Sequence, residues 1–482
     1  MTATDYISLT KQQQHSITGQ DAWLYHIVPN PNAPVKEDAI SLYVDEQKNN
    51  ALLINELEVV FNKSVSLESL PSAILQKTLA MYYRKAKEER GQAQRLNKNV
   101  KAEDFLMQLI AEAKSLGSSD IHVESYEERC RVRMRIDGQL IERYIIEKAE
   151  YPSLVNKIKI KASLDISERR LPQDGRIVFA DDSAKFDIRV SVLPTLHGEK
   201  IVLRLLNNDA TNIDIHQMGL TTTQINHYLE GVKKPHGLVL ISGPTGSGKT
   251  TTLYATLKIL NKEKANILTI EDPIEYTLEG VNQVQLKESI GLSFSSALRS
   301  FLRQDPDVIM LGEIRDGETA QMAIRAALTG HLVLSTIHTN SAWGTVSRLV
   351  DMGVPSYLLA STINTTVAQR LVRLLCPHCK KEESFDSKYF PIGYNAPKNL
   401  STHHVAVGCD ECYYTGYKGR TAVYEVIPLD YDLAERVKNN SFDVEQLLKE
   451  KGIATLKENA FKLFESGDTS IDEIYPILLN TY

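Results

Sequence analysis

Residues 243–250 read GPTGSGKT, and this glycine-rich segment constrains the fold of the chain more than any other feature. It follows GLVLI, an apolar run typical of a strand that is buried on both faces of a parallel sheet. A buried strand, a glycine-rich turn and a helix in this order predict a phosphate-binding loop. Further buried strands are predicted at 266–270, 308–311 and 332–335. We therefore predict a doubly wound α/β core of the P-loop, RecA-like type.

The loop supplies the first candidate binding residues. Backbone N–H groups of its glycines and the positive end of the following helix can surround phosphate oxygens. Lys249 can place its ammonium on the β- and γ-phosphates of ATP, and the Thr250 hydroxyl can complete a Mg²⁺ shell. The residues predicted to bind nucleotide are Gly243, Pro244, Thr245, Gly246, Ser247, Gly248, Lys249, Thr250 and Thr251.

Hydrolysis of ATP also requires carboxylates, and two candidates follow buried strands. The segment TIEDPIEY at 269–276 offers Glu275, which we predict orients or deprotonates the attacking water. The segment DVIMLGEIR at 307–315 offers Glu313, in the position of a magnesium-organising acid. The division of these roles between the two acids stays open. A non-hydrolysing, nucleotide-regulated scaffold would lack such an acid, so Glu275 argues against that class of protein.

Four of the five cysteines form two CxxC pairs, and the fifth, Cys130, is predicted to be an ordinary strand residue. In a cytosolic protein two such pairs favour metal ligation over disulfides. Each pair places two thiolates on one tight turn, as tetrahedral Zn²⁺ requires, and four protein ligands leave no position for a catalytic water. The 380–408 stretch between the pairs is long, but the entropy of loop closure grows slowly with length. The predicted ligands of one structural Zn²⁺ are Cys376, Cys379, Cys409 and Cys412.

Composition limits the classes of protein that fit. The chain has 482 residues, 42% hydrophobic and 24% charged, which is ordinary for a globular protein of several domains. Its net charge of −6 provides no large basic field of the kind that duplex DNA rewards. The N-terminal residues are polar where a signal peptide is apolar, and no apolar run approaches the roughly 18 residues of a membrane span. These features predict a cytosolic protein.

Changes of pattern divide the chain into five predicted regions. They are a small mixed domain at 1–90, an α+β domain at 91–210, the nucleotide-binding core at 211–375, a zinc subdomain at 376–415 and a mainly helical region at 416–482. In the first region we predict a strand at 40–44 and helices at 50–61 and 69–83, followed by a charged linker at 83–95. In the second, Asp137-Gly138 predicts a tight hairpin turn.

The nearest approach to a basic cluster is formed by Lys157, Lys159 and Lys161. These lysines alternate within a helix predicted at 154–162, so they do not share one face. We predict that they lie on a solvated helix surface. A DNA-transport or helicase-like ATPase, which would need a basic channel, is therefore disfavoured.

Several ordered motifs together resemble the secretion ATPases of type II secretion and type IV pilus assembly. GPTGSGKT, TIEDPIEY, LRQDPDVIMLGEIRD and TGHLVLSTIHTN occur in that order. The resemblance continues upstream through RRLPQDGRI and FDIRVSVLPTLHGEKIVLRLL, and downstream through AQRLVRLLCPHCK and CYYTGYKGRTAVYEV. It covers roughly residues 100–430, and the family's assembly ATPases usually carry a tetracysteine element.

The resemblance implies roles for residues in the nucleotide-binding core. It places Glu271, Asp272 and Glu275 in the family's aspartate box, and Glu313 in its Walker B segment. His331 and His338 fall in the family's histidine box, which implies that they sense the state of the nucleotide.

The resemblance also implies that arginines reach the phosphates from the α+β domain. Arg176 and Arg189 match these arginines, and Arg299 and Arg303 are weaker matches in the core. A guanidinium group suits this position because it neutralises transition-state charge and stays protonated. The arginines could complete a neighbouring subunit's site or act within their own chain.

At the level of the whole protein, the resemblance implies a homo-hexameric ring in which an α+β domain packs over each nucleotide. The expected function is that of a cytoplasmic ATPase at the inner face of the inner membrane, powering the assembly of pilin-like subunits. Its N-terminal domain is expected to dock platform proteins, which would give peripheral membrane association without direct nucleic-acid binding. Type II secretion is favoured over pilus assembly, because the N-terminal domain is single and short. The RLG-type repeat of the cyclic-di-GMP-binding domains of some relatives is not found in it, which argues against dinucleotide control.

Overall fold

The computed structural model describes residues 7–10, 13, 16–33, 38–46, 51–61, 63–82, 94–95, 102–180, 185–205, 214–398 and 400–479. The chain forms two compact units, Met1–Gln94 and Arg95–Tyr482, and each is described by itself. Among the described residues, every helix falls short of the length and apolar character needed to cross a membrane.

The described residues of the first unit form a three-stranded sheet and three helices with given bounds. Its elements are α1 (Gly19–Tyr25), β1 (Ile27–Pro29), β2 (Ala39–Asp45), α2 (Ala51–Phe61), β3 (Ser64–Leu70) and α3 (Ser72–Tyr82). The strand order is β1-β2-β3, with β1 antiparallel and β3 parallel to β2. The buried core includes Leu42, Val44, Leu57, Leu75 and Leu79.

The prediction of a helix at 69–83 is wrong at its start, because a strand comes first. β3 reads SVSLESL, a period-two pattern that pairs with β2 along its whole length. Pro71 separates this strand from the helix, which begins at Ser72. The strand predicted at 40–44 and the helix at 50–61 are confirmed to within one residue at each end. Residues 83–93 of the predicted linker lie outside the described residues.

The second unit begins with a seven-stranded sheet and two helices. Its elements are β4 (Gln94–Arg95), α4 (Ala102–Ser115), β5 (Asp120–Ser125), β6 (Cys130–Ile136), β7 (Gln139–Ile146), α5 (Tyr151–Lys161), β8 (Gln173–Ala180), β9 (Lys185–Thr195) and β10 (Gly198–Leu205). The strand order is β4-β7-β6-β5-β10-β9-β8. Asp137 and Gly138 have φ values of 48° and 84°, as a two-residue turn requires, so the predicted hairpin is confirmed. Cys130 begins β6 and is a strand residue, as predicted, and its side chain is buried.

Lys159 corrects the prediction of a solvated lysine face on α5. Its side chain is completely buried, and its Nζ lies 2.7 Å from both Glu199 Oε1 and the carbonyl oxygen of Glu168. The sequence pattern does not distinguish Lys159 from the other two lysines, because only packing against β10 determines which side chain points inward. The buried pair therefore fastens the loop that follows α5 to the sheet.

The nucleotide-binding core continues the second unit with a second seven-stranded sheet. Its elements are α6 (Thr222–Lys233), β11 (Gly237–Ser242), α7 (Lys249–Leu260), β12 (Ile267–Glu271), β13 (Asn282–Gln285), α8 (Phe294–Phe301), β14 (Val308–Leu311), α9 (Gly317–Leu328), β15 (Leu332–Ile337), α10 (Gly344–Asp351), α11 (Ser356–Thr362) and β16 (Ile363–Leu375). The strand order is β13-β12-β14-β15-β11-β16-β19, where β19 comes from the C-terminal region. All pairs are parallel except β16 with β19. The predicted doubly wound core is confirmed, and the carboxyl ends of β11, β12, β14 and β15 meet at one edge.

The C-terminal part of the chain contributes to this sheet as well as adding helices. Its elements are β17 (Lys381–Ser384), β18 (Thr402–Val405), β19 (Tyr417–Pro428), α12 (Tyr431–Lys438), α13 (Glu445–Glu450), α14 (Leu456–Glu465) and α15 (Ile471–Leu479). The region predicted as mainly helical thus begins with a long strand that pairs with β16 from Thr365 to Leu375. The cysteine pairs lie between β16 and β19, at the far end of this hairpin.

The Lys159–Glu199 pair generates a stability prediction. Lys159→Ala should lower the free energy of unfolding by about 3–5 kcal/mol, because it leaves a buried carboxylate without its partner. Urea unfolding of the full chain measures the change, and Lys233→Ala on the exposed face of α6 is the matched control, expected within about 0.5 kcal/mol of the unchanged chain.

A second variant separates the charge from the packing. Lys159→Met combined with Glu199→Leu removes both charges together and should recover most of the loss. A Lys159→Ala variant as stable as the Lys233→Ala control would contradict the importance of the pair.

Candidate nucleotide site and cysteine cluster

The phosphate loop joins β11 to α7 at the carboxyl edge of the sheet. Its three glycines, Gly243, Gly246 and Gly248, have φ values of 151°, 82° and 87°, which residues with a Cβ rarely adopt. Lys249 begins α7 and donates hydrogen bonds to the carbonyl oxygens of Gly243 at 2.7 Å and Pro244 at 3.0 Å. The lysine thus lies along the loop, where it can reach phosphates bound there.

The ends of three neighbouring strands bring polar groups beside the loop. Glu313 follows β14, Asp272 follows β12 and His338 follows β15. Glu313 lies 2.5 Å from Arg315 Nη2 and 3.4 Å from His338 Nε2, and the same guanidinium lies 3.4 Å from Asp272. The structure therefore gathers two acids, a histidine and an arginine at one edge. Sequence reasoning missed Arg315, although it is two residues after Glu313 in the EIRD segment.

Charges at this edge act on the titration of Glu313 and Lys249. Burial opposes ionisation of Glu313, but Arg315 and His338 outweigh it and hold the pKa of this carboxyl below its usual value. Burial lowers the pKa of the Lys249 ammonium, Glu313 opposes that shift, and Arg370 adds to it. An ionised carboxylate and a partly desolvated cation therefore face each other across the phosphate site.

Glu275 lies in the loop after β12 and contacts the α+β domain. Its carboxylate is 3.5 Å from Arg189 Nη1, and Arg189 also donates a hydrogen bond to the carbonyl oxygen of Ile274. The Glu275 side chain is 38% exposed, so water can reach it. The structure thus brings Arg189 to the predicted water-orienting acid of its own chain.

Two other predicted residues are placed differently. Arg176 on β8 is 60% exposed and lies 4.0 Å from Asp187 on β9, so its ion pair stays within the α+β domain. His331 precedes β15 whereas His338 follows it, which puts the two histidines at opposite edges of the sheet. The His331 ring lies 2.9 Å from the carbonyl oxygen of Ala326, at the end of α9. Within one chain, His331 therefore does not belong to the site.

Members of the acidic segments differ in burial as well. Glu271, the last residue of β12, is buried and accepts hydrogen bonds from Tyr254, from Thr269 at 2.7 Å and from Gln283 at 3.0 Å. These three hydrogen bonds satisfy the Glu271 carboxylate within the core. Glu271 therefore supports the loop that carries Glu275, and Tyr254 helps by accepting the Glu275 backbone N–H at 3.4 Å.

The four paired cysteines come together as one cluster. Their Sγ atoms lie 3.9 Å apart for Cys376 and Cys409, and 3.8 Å apart for Cys379 and Cys412. Tetrahedral Zn²⁺ with Zn–S bonds of about 2.3 Å requires S–S separations of about 3.8 Å, so the geometry fits this ion. Backbone N–H groups of Gly408 and Gly416 point at the sulfurs of Cys379 and Cys412, as they would at thiolates. These four residues fit a structural Zn²⁺ site.

Comparison with known proteins places the chain in a family. The family described as "Type II/IV secretion system protein" matches residues 95–476. The chain belongs to this family. It is 46% identical over 368 residues to the type II secretion system protein E of Pseudomonas aeruginosa, covering 76% of this chain and 73% of that protein. It is also 46% identical over 372 residues to the type IV pilus assembly ATPase PilB of Myxococcus xanthus, covering 76% of this chain and 66% of the relative.

Solved structures of secretion ATPases share the fold. The ADP-bound pilus retraction motor PilT aligns with a TM-score of 0.53 at 27% identity, covering 78% of this chain and 97% of the motor. The Legionella pneumophila ATPase DotB aligns with a TM-score of 0.60 at 22% identity, covering 77% of this chain and 95% of DotB. This member of the secretion family is an ATPase that uses ATP and Mg²⁺, as the sequence predicted.

The cysteine cluster generates a prediction about metal content. Protein purified without exposure to chelators should contain one zinc ion per chain, because the four sulfurs supply all four ligands of a tetrahedral site. Cys376→Ser with Cys409→Ser should lose the metal, and Cys130→Ala is the matched control that should keep it. Elemental analysis measures the ratio of zinc to protein.

The same variants test whether the metal serves the fold or the nucleotide. The cysteine variants should bind ADP nearly as well as the Cys130→Ala control, because the cluster lies beyond the far end of β16. Zinc well below one ion per chain, or cysteine variants that lose nucleotide binding as fully as Lys249→Ala, would contradict this assignment.

Proposed function

We propose that this ATPase powers the assembly of pilin-like subunits for type II secretion, as a cytoplasmic homo-hexamer at the inner face of the inner membrane. Its first unit would dock inner-membrane platform proteins, so that the ring associates with the membrane through its partners. The observation that carries the proposal is the carboxyl edge of the sheet. There Lys249 belongs to the phosphate loop, and Glu313 and His338 contact each other after neighbouring strands. Arg189 reaches Glu275 from the α+β domain. A link between two domains at the reaction centre is what conversion of hydrolysis into movement requires.

The proposed chemistry is attack of water on the γ-phosphorus of ATP, with cleavage of the bond to the bridging oxygen and release of ADP. Glu275 would orient the water and accept its proton, since its carboxylate is open to solvent. Lys249 would neutralise the β- and γ-phosphates. Thr250 and Glu313 would hold Mg²⁺, which neutralises charge on the phosphate oxygens, and the depressed pKa of Glu313 keeps that ligand ionised.

The arginine contact suggests how the nucleotide state reaches the α+β domain. With Arg189 bound to Glu275, the acid that serves the water is paired with a cation from another domain. Movement of Arg189 towards the γ-phosphate would free Glu275, and His338 would report the phosphate through its contact with Glu313. In both steps, loss or gain of the γ-phosphate would change a side-chain contact, and the contact of Arg189 would pass this change to the α+β domain.

Pilus assembly is the alternative function, and it is favoured by the PilB relative, which is as similar over a comparable length as protein E. A DNA-transport motor has less support, because Lys159 is buried and does not contribute to a basic surface. The choice between the two systems concerns the partner and leaves the ATPase chemistry unchanged.

The role of Glu275 yields a direct prediction. Glu275→Gln should retain binding of ATP and Mg²⁺ but lose hydrolysis by on the order of 100-fold or more, because the amide cannot accept the proton of water. Steady-state turnover with a nucleotide-binding titration measures both. Lys249→Ala is the comparison variant, expected to lose nucleotide contact as well as turnover.

In cells that lack their own copy, the Glu275→Gln chain should fail to restore type II secretion while surface pili remain. Loss of pili with intact secretion would assign the chain to pilus assembly instead. If Glu275→Gln loses nucleotide binding, Glu275 is a structural residue and Glu313 becomes the candidate for the water-orienting acid.

The hexamer generates a further prediction about which chain supplies each arginine. Rings mixed from Lys249→Ala chains and Arg189→Ala chains should stay inactive, because Arg189 serves the site of its own chain. Rings mixed from Lys249→Ala and Arg176→Ala chains should recover activity, because the exposed Arg176 would serve a neighbour. Turnover of the mixtures, with ultracentrifugation to show the ring, provides the measurement.

Recovery in the Arg189 mixture would mean that this arginine crosses to the neighbouring site. A fully active monomer would overturn the need for a ring.

A further inference from the structure

Arg370 is a buried cation at the wall of the phosphate site. It lies on β16, which pairs with β11, the strand that leads into the phosphate loop. The residue is only 8% exposed. A Cβ built on Gly243 would lie 3.1 Å from Arg370 Nη1, so the guanidinium packs against the first glycine of the loop.

The hydrogen bonds of Arg370 join two separate parts of the chain. Nη1 donates to the carbonyl oxygen of Gln369 at 2.9 Å, on β16 itself. Nη2 donates to the carbonyl oxygens of Asn340 at 2.9 Å and Thr339 at 3.4 Å. These two carbonyls come directly after His338, whose ring faces Glu313. One guanidinium therefore spans from the wall of the loop to the backbone that carries His338.

A buried acid holds the same backbone from the next strand. Glu425 on β19 is completely buried and accepts the N–H of Ala342 at 2.8 Å. The Ser242 hydroxyl, at the end of β11, donates to the carbonyl oxygen of Ser341 at 3.3 Å. The segment 338–342 is thus fastened at its carbonyls by Arg370 and at an N–H group by Glu425.

The charge of Arg370 is held by dipoles rather than by a direct ion pair. Across the described parts of the chain, no carboxylate comes within ion-pair distance of its guanidinium, and three carbonyl oxygens are its hydrogen-bond acceptors. Burial lowers the pKa of Arg370, while Glu425 opposes the shift from further away. Arg370 and Lys249 are therefore two desolvated cations beside one loop, and bound phosphates would offset both charges.

We propose that Arg370 is a positioning residue for ATP hydrolysis, which ties the segment 338–342 to β16 beside the phosphate loop and keeps His338 and Glu313 in place beside the phosphates. This inference deepens the proposed function and rests on the roles given there to His338 and Glu313. The fork of the guanidinium is the essential feature, because Nη2 reaches two carbonyls of the segment while Nη1 is held on β16, and the donors of a lysine all lie on one nitrogen.

Arg370→Lys and Arg370→Gln in the full chain test the proposal. Each should lower kcat by about 10- to 100-fold, because a small misplacement of reacting groups costs rate, while KM for ATP changes less than about threefold. Arg436→Gln, at an exposed arginine of α12, is the matched control and should match the unchanged chain. Thermal melting and ADP titration test whether each variant is folded. If the glutamine variant is unfolded, the result for the lysine variant alone decides the test. An unchanged kcat in Arg370→Lys, or a loss confined to KM, would overturn the proposal.

A double-mutant cycle with His338→Ala shows whether Arg370 acts through this segment. If it does, the double variant should lose no more activity than the more impaired single variant. Losses that multiply, with His338→Ala itself impaired, would refute the role of Arg370 and leave the proposed function intact. A fully active His338→Ala variant would refute the proposed role of His338, and this inference with it.

Discussion

The phosphate loop takes its shape from the strand that lies behind it. A Cβ on Gly243 would lie 2.5 Å from the carbonyl oxygen of Gln369, and one on Gly248 would lie 2.8 Å from the Gln369 amide nitrogen. A backbone oxygen cannot give way, so Gly243 is required by contact with β16 as well as by its positive φ, whereas Gly248 is required by its φ of 87°. Gln369 also accepts a hydrogen bond from Thr252 on α7 at 2.8 Å. Gln369 therefore contacts the turn through its backbone carbonyl and the helix through its side chain, and these two elements together make the anion site.

The same strand connects the nucleotide site to the cysteine cluster. Cys376 follows Arg370 by six residues, which corresponds to about 20 Å along a strand. Near the cysteine end, Arg373 lies over the ring of Tyr417 and pairs with Glu473 at 2.5 Å, which fastens β16 to β19 and α15. A metal ion on the cysteines would close this end of the hairpin. Its effect on the loop would be indirect, because pairing with β11 and β19 already positions the part of β16 that contacts the loop.

Sequence reasoning succeeded where the signal is local and failed where it depends on packing. The strand–loop–helix order at 237–260 and the cysteine pairs are local patterns, and the structure contains both. The strand β3 was missed because its alternating residues are half polar, and only pairing with β2 reveals it. Lys159 and Lys161 are equivalent by pattern, yet the partner on β10 selects one of them for burial. The motif AQRLVRLLC contributed only to the resemblance, because the closeness of Arg370 to Gly243 arises from a parallel pairing between distant segments.

Three buried charged groups of the second unit, Lys159, Arg370 and Glu425, share an arrangement that explains why they are present. Lys159 holds the carbonyl of Glu168, Arg370 holds those of Thr339 and Asn340, and Glu425 holds the N–H groups of Ala342 and Leu456. An apolar side chain of similar size would avoid the cost of desolvation and could stabilise the fold as well or better. It could not fix a loop, because dispersion contacts have no preferred direction whereas hydrogen bonds do. Since each of these groups fastens a backbone segment outside a regular element, we infer that they determine where the loops lie. For the segment after β15 that position decides how His338 faces Glu313, so a charge that adds little to stability can still control the chemistry.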